Sequence, residues 1–273
     1  WLTLHAAFAA ESSSYPSKAI KLVVPYPAAG GADSLARPLA QQLSVRLAQS
    51  VVVDNRGGAG GNIAMELVTR SPADGHTLML ALTPQLAVNG ALYPKLGYDP
   101  IHGFTPISLI AEAPYLLLVH PALQVNTVQE LMALAAHDKG KLAYASSGSG
   151  SGGHMAAELL IHLSGVAMTH VPYKGKKRLA SLPQVPTMAE AGIAGYDSTV
   201  WYALLAPANT PRDIVQRLYA ELLQTLKDPS FKSMMAANGI EPLGTTPEEL
   251  SSHITQEIAK WSKVVKSSGM RAD

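Results

Sequence analysis

Apolar positions in the first hundred residues alternate between short unbroken runs and four-residue repeats, and that alternation predicts strand followed by helix three times over. Ile20, Leu22, Val23 and Val24 predict a buried strand, and Leu35, Leu39, Leu43 and Leu47, flanked by Ala36 and Ala40, give the following helix one apolar face. Asp33 or Ser34 is the expected cap. Pro38 removes one backbone bond to Ser34 and is expected to bend the helix near its start. Val51 to Val53 predicts the second strand, and Ile63, Met65, Leu67 and Val68 the second helix. After a turn at Asp74-Gly75 the third strand runs from Thr77 to Leu82, and Thr83-Pro84-Gln85 interrupts it and opens another helix. Three such units in succession predict a parallel sheet with helices on its faces and a ligand site beyond the carboxyl ends of the strands.

From Tyr93 to Pro106 the pattern breaks into Pro, Gly and aromatic residues, an irregular crossing into a second domain. Ile107 to Ile110 and Tyr115 to Val119 are expected strands, and Thr127 to Ala136 an amphipathic helix with Thr127 and Glu130 at capping-box spacing. Lys141 to Ala145 predicts a strand, Ser146 to Gly153 a loop, and His154 to Leu163 a helix. Three further helices are expected: one from Pro211 to Asp228, a shorter one ending at Gly239, and one from Thr246. The last carries Ile254, Ile258, Trp261, Val264 and Val265 on one side, which packs it back on the first domain. The expected domains are 15–103 with 197–273, and 104–196.

Composition narrows the partners. A chain of 273 residues, 47% hydrophobic and 15% charged, can bury the cores of about two domains. Its 21 basic and 20 acidic residues form no basic block, so nucleic acid is not an expected partner. Cysteine is absent, and the nine histidines show no ligand spacing, so neither a disulfide nor a metal is expected. Leu2 to Ala10 is apolar and rich in small residues, and Ala7-Phe8-Ala9 fits a cleavage site before the polar run Glu11 to Ser14. Residues 1–14 are therefore read as the tail of a secretory signal peptide or a loose N-terminus, a short N-terminal helix being the alternative. No later apolar run approaches the ~18 residues of a membrane span.

Two loops carry the candidate chemistry. Pro25 to Asp33 places Ala28, Ala29, Gly30 and Gly31 before a helix start, where small residues admit a ligand to the backbone and unpaired N–H groups favour an anion. The same glycines also suit a purely steric turn. Thr83, at a strand end, offers a hydroxyl to a carboxylate or a cap to the next helix. In the second domain Ser146 to Gly153 is dense in hydroxyls and N–H donors, and the two loops are expected to hold a carboxylate between them. Enzyme readings of the second loop are weaker. Gly148-x-Gly150-x-x-Gly153 lacks an acid about 20 residues on, as a dinucleotide site requires. His154-Met155 stands where a P-loop needs Lys and Ser or Thr, and no G-x-S-x-G elbow is present. His154 is read as a helix-end residue, with ligand contact as the alternative.

The ordered motifs P-Y-P-A-A-G-G-A-D (25–33), D-N-R-G-G-A-G-G-N (54–62), A-D-G-H-T-L (73–78), Y-A-S-S-G-S-G-S-G-G-H (144–154), V-P-Y-K-G (171–175), L-P-Q-V-P-T-M-A-E-A-G (182–192) and W-Y-A-L-L-A-P (201–207) span the chain. Together they resemble the tripartite tricarboxylate transporter substrate-binding proteins, or Bug receptors. That resemblance implies an α/β, two-domain periplasmic binding protein of type II topology, without cofactor or catalysis. It implies a monomer in the periplasm that closes on a small carboxylate and delivers it to integral-membrane transporter subunits. The implied ligand contacts are Tyr26, Ala28, Ala29, Gly30, Gly31, Asp33, Thr83, Ser147, Gly148, Ser151, His154, Tyr173 and Lys174. An α/β enzyme acting on a carboxylate or nucleotide is the alternative.

Two departures from the family pattern stand out. The first loop has Ala28 and Ala29 where P-P-G-G-G is usual, which restricts its backbone. Members usually continue for several tens of residues after V-P-Y-K-G, through a strand, a helix and the strand that returns to the first domain, whereas Gly175 here runs directly into Lys176-Lys177-Arg178. Either half of the second domain is lacking, or residues have been left out at this junction; the latter is the expectation.

Overall fold

The alternation along the strands becomes the two faces of one sheet. The structure is a computed structural model that describes residues 15–138, 140–146, 151–172, 188, 191–194, 196 and 198–270. Strands β1 (Ile20–Val24), β2 (Val51–Asn55) and β3 (Thr77–Leu82) lie parallel in the order β2-β1-β3. The sheet continues through β7 (Thr199–Pro207), β4 (Phe104–Pro114) and the short β8 (Glu241–Pro242). Because β7 runs antiparallel to both β3 and β4, the sheet is mixed rather than wholly parallel. Ile20, Leu22 and Val24 join Leu78, Leu80 and Leu82 against α1 (Gly31–Leu47) and α6 (Arg212–Lys227), with α7 (Pro229–Ala237) alongside. Val23, Met79 and Ala81 face the other way, against α2 (Asn62–Thr69) and the long C-terminal α8 (Pro247–Ser268).

A capping box starts α8: Thr246 Oγ1 accepts from the Glu249 N–H, and Glu249 accepts from the Thr246 N–H in return. Its stripe meets Trp201 of β7 as expected from the pattern. After β3 the chain coils through 84–88 into α3 (Asn89–Leu92).

Among the described residues, the smaller part of the molecule is a two-stranded parallel sheet, β5 (Ala143–Ser146) beside β6 (Thr169–Pro172), connected by α5 (Gly152–Ser164). α4 (Val128–Asp138) precedes it, and the Glu130 N–H donates to Thr127 Oγ1 as the spacing foretold. Met155 and Leu159 attach α5 to the apolar cluster around α8.

Two expectations change. β4, expected to begin the second domain at 104, pairs with β7 through Pro114 and belongs to the large sheet. Tyr115 to Val119 forms no strand; its leucines stand 39–62% exposed, with no neighbouring strand to pair with among the described residues. Residues 1–14 and the junction at 175–177 lie outside the described residues.

Candidate functional site

Five chain segments reach one edge of the large sheet: the carboxyl ends of β1, β2, β3 and β4 and the start of β7. The loop after β1 holds a half-buried Tyr26, exposed Pro27, Ala28 and Ala29, and a buried Gly30. Gly30 is the N-cap of α1 but has no side chain with which to cap it, so no side chain caps the first N–H groups of the helix. Gly31 is exposed, and a Cβ placed there would meet nothing within 4 Å. Ala29 adopts φ +63°, a left-handed conformation that disfavours a Cβ by about 1 kcal/mol.

Asp33 holds this loop in shape. Its Oδ2 accepts from the Ala29 N–H (2.8 Å) and Arg37 Nε (2.8 Å), and its Oδ1 from Asn55 Nδ2 (3.1 Å), which also reaches the Tyr26 carbonyl. Burial raises its pKa, but the bonds from Arg37, Ala29 and Asn55 outweigh that and leave the carboxyl below its ordinary range. An acid expected to contact ligand is thus engaged in the loop's own bonds, as a positioning residue. Thr83 is similar: buried, its hydroxyl accepts from the Trp201 N–H (3.1 Å) and donates to the Thr199 carbonyl, extending the β3–β7 ladder by one side chain.

Behind Tyr26 lies a polar layer that the apolar pattern gave no means of finding. Gln85 Nε2 donates to Tyr26 Oη (3.0 Å) and to the Gly60 carbonyl (2.7 Å), and its Oε1 accepts from the Leu82 N–H. Asn89 Nδ2 donates to Asn62 Oδ1 (2.6 Å), and Tyr98 Oη to the Gln85 carbonyl. The second glycine-rich turn is shaped around this layer: Gly61 has φ +92°, and a Cβ there would fall 2.7–2.8 Å from Gln85 and Pro25. Burial pushes the Tyr26 phenol above its usual pKa, so it stays a neutral hydroxyl.

In the second loop Ser151 caps α5, accepting from the His154 N–H at 3.3 Å. Its hydroxyl donates to Ser146 Oγ (3.4 Å), and Ser146 Oγ lies 2.7 Å from His170 Nε2. His154 is buried, stacked on His170 with centroids 3.8 Å apart. Ser147, Gly148, Tyr173 and Lys174, expected here, lie outside the described residues.

Tyr115, which the sequence did not single out, bridges the two parts. It follows the last residue of β4, and its Oη sits where a Cβ on Gly152 would be, 1.6 Å away. Burial, with Tyr26, Tyr202 and Tyr196 nearby, raises its pKa well above that of a free phenol. Its signal was an aromatic residue directly after Pro114 where the chain leaves the sheet. Gly152→Ala is expected to drive this ring toward Tyr26 and weaken ligand binding by about tenfold. Calorimetry on the variant checks this, and an unchanged affinity would mean that Tyr115 does not line the cleft.

Among the described residues, no group of three His, Cys, Asp or Glu is placed to hold a metal, and no helix is long and apolar enough to cross a membrane.

A family model described as "Tripartite tricarboxylate transporter family receptor" matches residues 35–177 and 175–270. Protein BugT of Bordetella pertussis is 30% identical over 300 aligned positions, covering 95% of this chain and 92% of its own. Among solved structures, R. palustris Rpa4515 with adipate is 34% identical, with a TM-score of 0.83 over 94% of this chain and 99% of its own. Periplasmic binding protein BugD is 28% identical, with a TM-score of 0.80 over 94% and 99%. MatC (Rpa3494) from Rhodopseudomonas palustris with bound malate is 28% identical, with a TM-score of 0.80 over 92% and 100%.

The alignment with BugT contains positions that this chain lacks. Its 300 positions take in 95% of 273 residues, about 259, so about 41 positions of the relative have no residue here. The family match is split at 175–177, the junction where the sequence departs from the pattern.

Proposed function

The chain belongs to the tripartite tricarboxylate transporter receptor family, and from that premise we propose that it captures a small mono- or dicarboxylate between two lobes and delivers it to membrane transporter subunits. The lobes would be the large sheet with its helices and the β5–α5–β6 unit, joined where β4 ends and β7 begins. What supports this reading is an α1 start that no side chain caps, together with the Ser146–Ser151 hydroxyl pair of the second loop. Fixed N–H and O–H donors in both loops suit a carboxylate without an arginine clamp.

The adipate in Rpa4515 and the malate in MatC support a diacid as the ligand class. Family members are receptors rather than enzymes, and this chain is expected to bind without turnover. A periplasmic location is in keeping with relatives such as the periplasmic binding protein BugD. The working unit is proposed to be a monomer.

Thermal unfolding across a panel of carboxylates, amides and nucleotides tests the reading. A ligand at ~100 times its dissociation constant adds roughly 2.7 kcal/mol of stability. A rise in midpoint confined to carboxylates is the expected outcome, with the added acid recovered unchanged. A response to nucleotides alone, or chemical conversion of the acid, would replace the receptor with an enzyme.

A further inference from the structure

The polar layer behind Tyr26 decides which way the hydrogen of that phenol can be given. Gln85 is fully buried, and its side-chain amide is held at both ends by backbone. Oε1 accepts from the Leu82 N–H at 3.2 Å, and Nε2 donates to the Gly60 carbonyl at 2.7 Å. Turned end for end, the amide would set two donors against each other at Leu82 and two acceptors at Gly60, so one orientation alone satisfies the backbone. Its neighbours reinforce that orientation. Asn89 Nδ2 also donates to the Gly60 carbonyl, Tyr98 Oη donates to the Gln85 carbonyl, and Gly61 leaves room for the amide, since a Cβ there would fall 2.7 Å from Gln85 Nε2.

The remaining hydrogen of Nε2 goes to Tyr26 Oη at 3.0 Å. With the amide fixed, Tyr26 can only accept in that bond, and its own hydrogen is left for another acceptor. Among the described residues nothing takes it: Gln85 is the one hydrogen-bond partner of the Tyr26 side chain. Burial raises the Tyr26 pKa by more than the Gln85 bond lowers it, so the hydrogen is retained. Tyr26 is the second residue after β1, at the edge where the carboxyl ends of the strands converge, beside the exposed Pro27 to Ala29 and the start of α1. A hydroxyl committed to donating, next to helix N–H groups that can only donate, offers a ligand hydrogens alone. Both oxygens of a carboxylate accept, which matches such a site, whereas a carboxamide sets an NH2 against one of the donors.

We infer that Gln85 is a specificity-determining positioning residue of the ligand site: by committing Tyr26 to donate, it favours carboxylic acids over the amides of the same chain. The inference rests on the carboxylate-receptor reading and assigns the acid selectivity of that site to a buried side chain behind it.

Isothermal titration near neutral pH with adipate, malate and the diamide of adipate tests it on the wild type, Tyr26→Phe, Gln85→Glu and the double variant. The wild type should bind adipate about a hundredfold more tightly than the diamide. Tyr26→Phe should narrow that ratio about tenfold, because the acid loses a bond to a charged acceptor and the amide a weaker neutral one. Gln85→Glu, kept neutral by burial, has one side-chain hydrogen where the amide had two. The Gly60 carbonyl takes it, and Tyr26 then turns its own hydrogen inward. The loss of adipate affinity caused by Gln85→Glu should therefore be about tenfold greater with the tyrosine present than in the Tyr26→Phe background, and the cycle cancels any direct effect of the new acid. Equal losses in the two backgrounds would make Gln85 merely structural and overturn the inference alone, as would an acid-to-amide ratio that Tyr26→Phe leaves unchanged. If Gln85→Glu does not fold, Gln85→Met, which removes the fixed donor without adding an acid, takes its place in the same cycle with the same sign expected. Failure of the wild type to bind either diacid overturns the receptor reading for diacids, and this inference with it.

Discussion

Replacing Glu257 by alanine is expected to remove about 3–5 kcal/mol of stability, a large part of the 5–15 kcal/mol typical of folded proteins. Glu257 sits on the inner face of α8, 6% exposed, and its Oε2 accepts from two buried indoles, Trp201 Nε1 at 3.0 Å and Trp261 Nε1 at 2.9 Å. Its Oε1 is paired with Lys260. Truncation strands two N–H groups out of reach of water, at about 1–3 kcal/mol each, and opens a void beside them. Glu257→Gln keeps an oxygen of the same geometry for both indoles and loses only the pairing with Lys260, so it should retain most of the stability. Urea unfolding of the three proteins checks this. Equal midpoints for alanine and wild type would show that the indoles find other acceptors.

Asp33→Ala is expected to weaken carboxylate binding by about a hundredfold, although the side chain makes its bonds inside the protein. It frees the Ala29 N–H, Arg37 and Asn55 together, so the loop before α1 loses the tie that keeps Ala29 left-handed. The direct loss of stability is about 2–3 kcal/mol, since bonds to a charged acceptor are the stronger kind and the Arg37 side chain is half in water. The pH dependence has a definite sign. The folded carboxyl lies below its unfolded value, so its contribution is complete above the unfolded pKa and disappears as pH falls through the folded one. The stability gap between wild type and Asp33→Asn should hold from neutrality down to about pH 4 and close below it. A diacid dissociation constant within about twofold of wild type for Asp33→Ala would remove Asp33 from the account of the site.

The architecture of the first domain was legible because its strands and helices bury one continuous face each. Ile20, Leu22 and Val24, then Leu35, Leu39 and Leu43, alternate and repeat as the sheet and helix periods require. Tyr115 to Val119 misled for the same reason: an apolar run specifies a strand only where another strand is available to pair, and among the described residues no ladder forms there. The loops were legible as places but not as bonding patterns. Asp33 and Thr83 were singled out for groups that could reach a ligand, and only distances show those groups engaged by Ala29 and Trp201. Gln85, Asn89, Asn62 and Tyr98 left no trace, because a buried polar layer has no period. The apposition of His154 and His170, 16 positions apart, depends on β5 and β6 pairing in parallel, a register invisible along one strand.

The chain leaves the large sheet at Pro114 and re-enters it at Thr199, and these two residues are partners in the β4–β7 ladder. Two threads joined side by side cannot turn independently. Both crossings between the large sheet and the smaller unit pass through this one point of the ladder, so neither thread can be displaced there without the other.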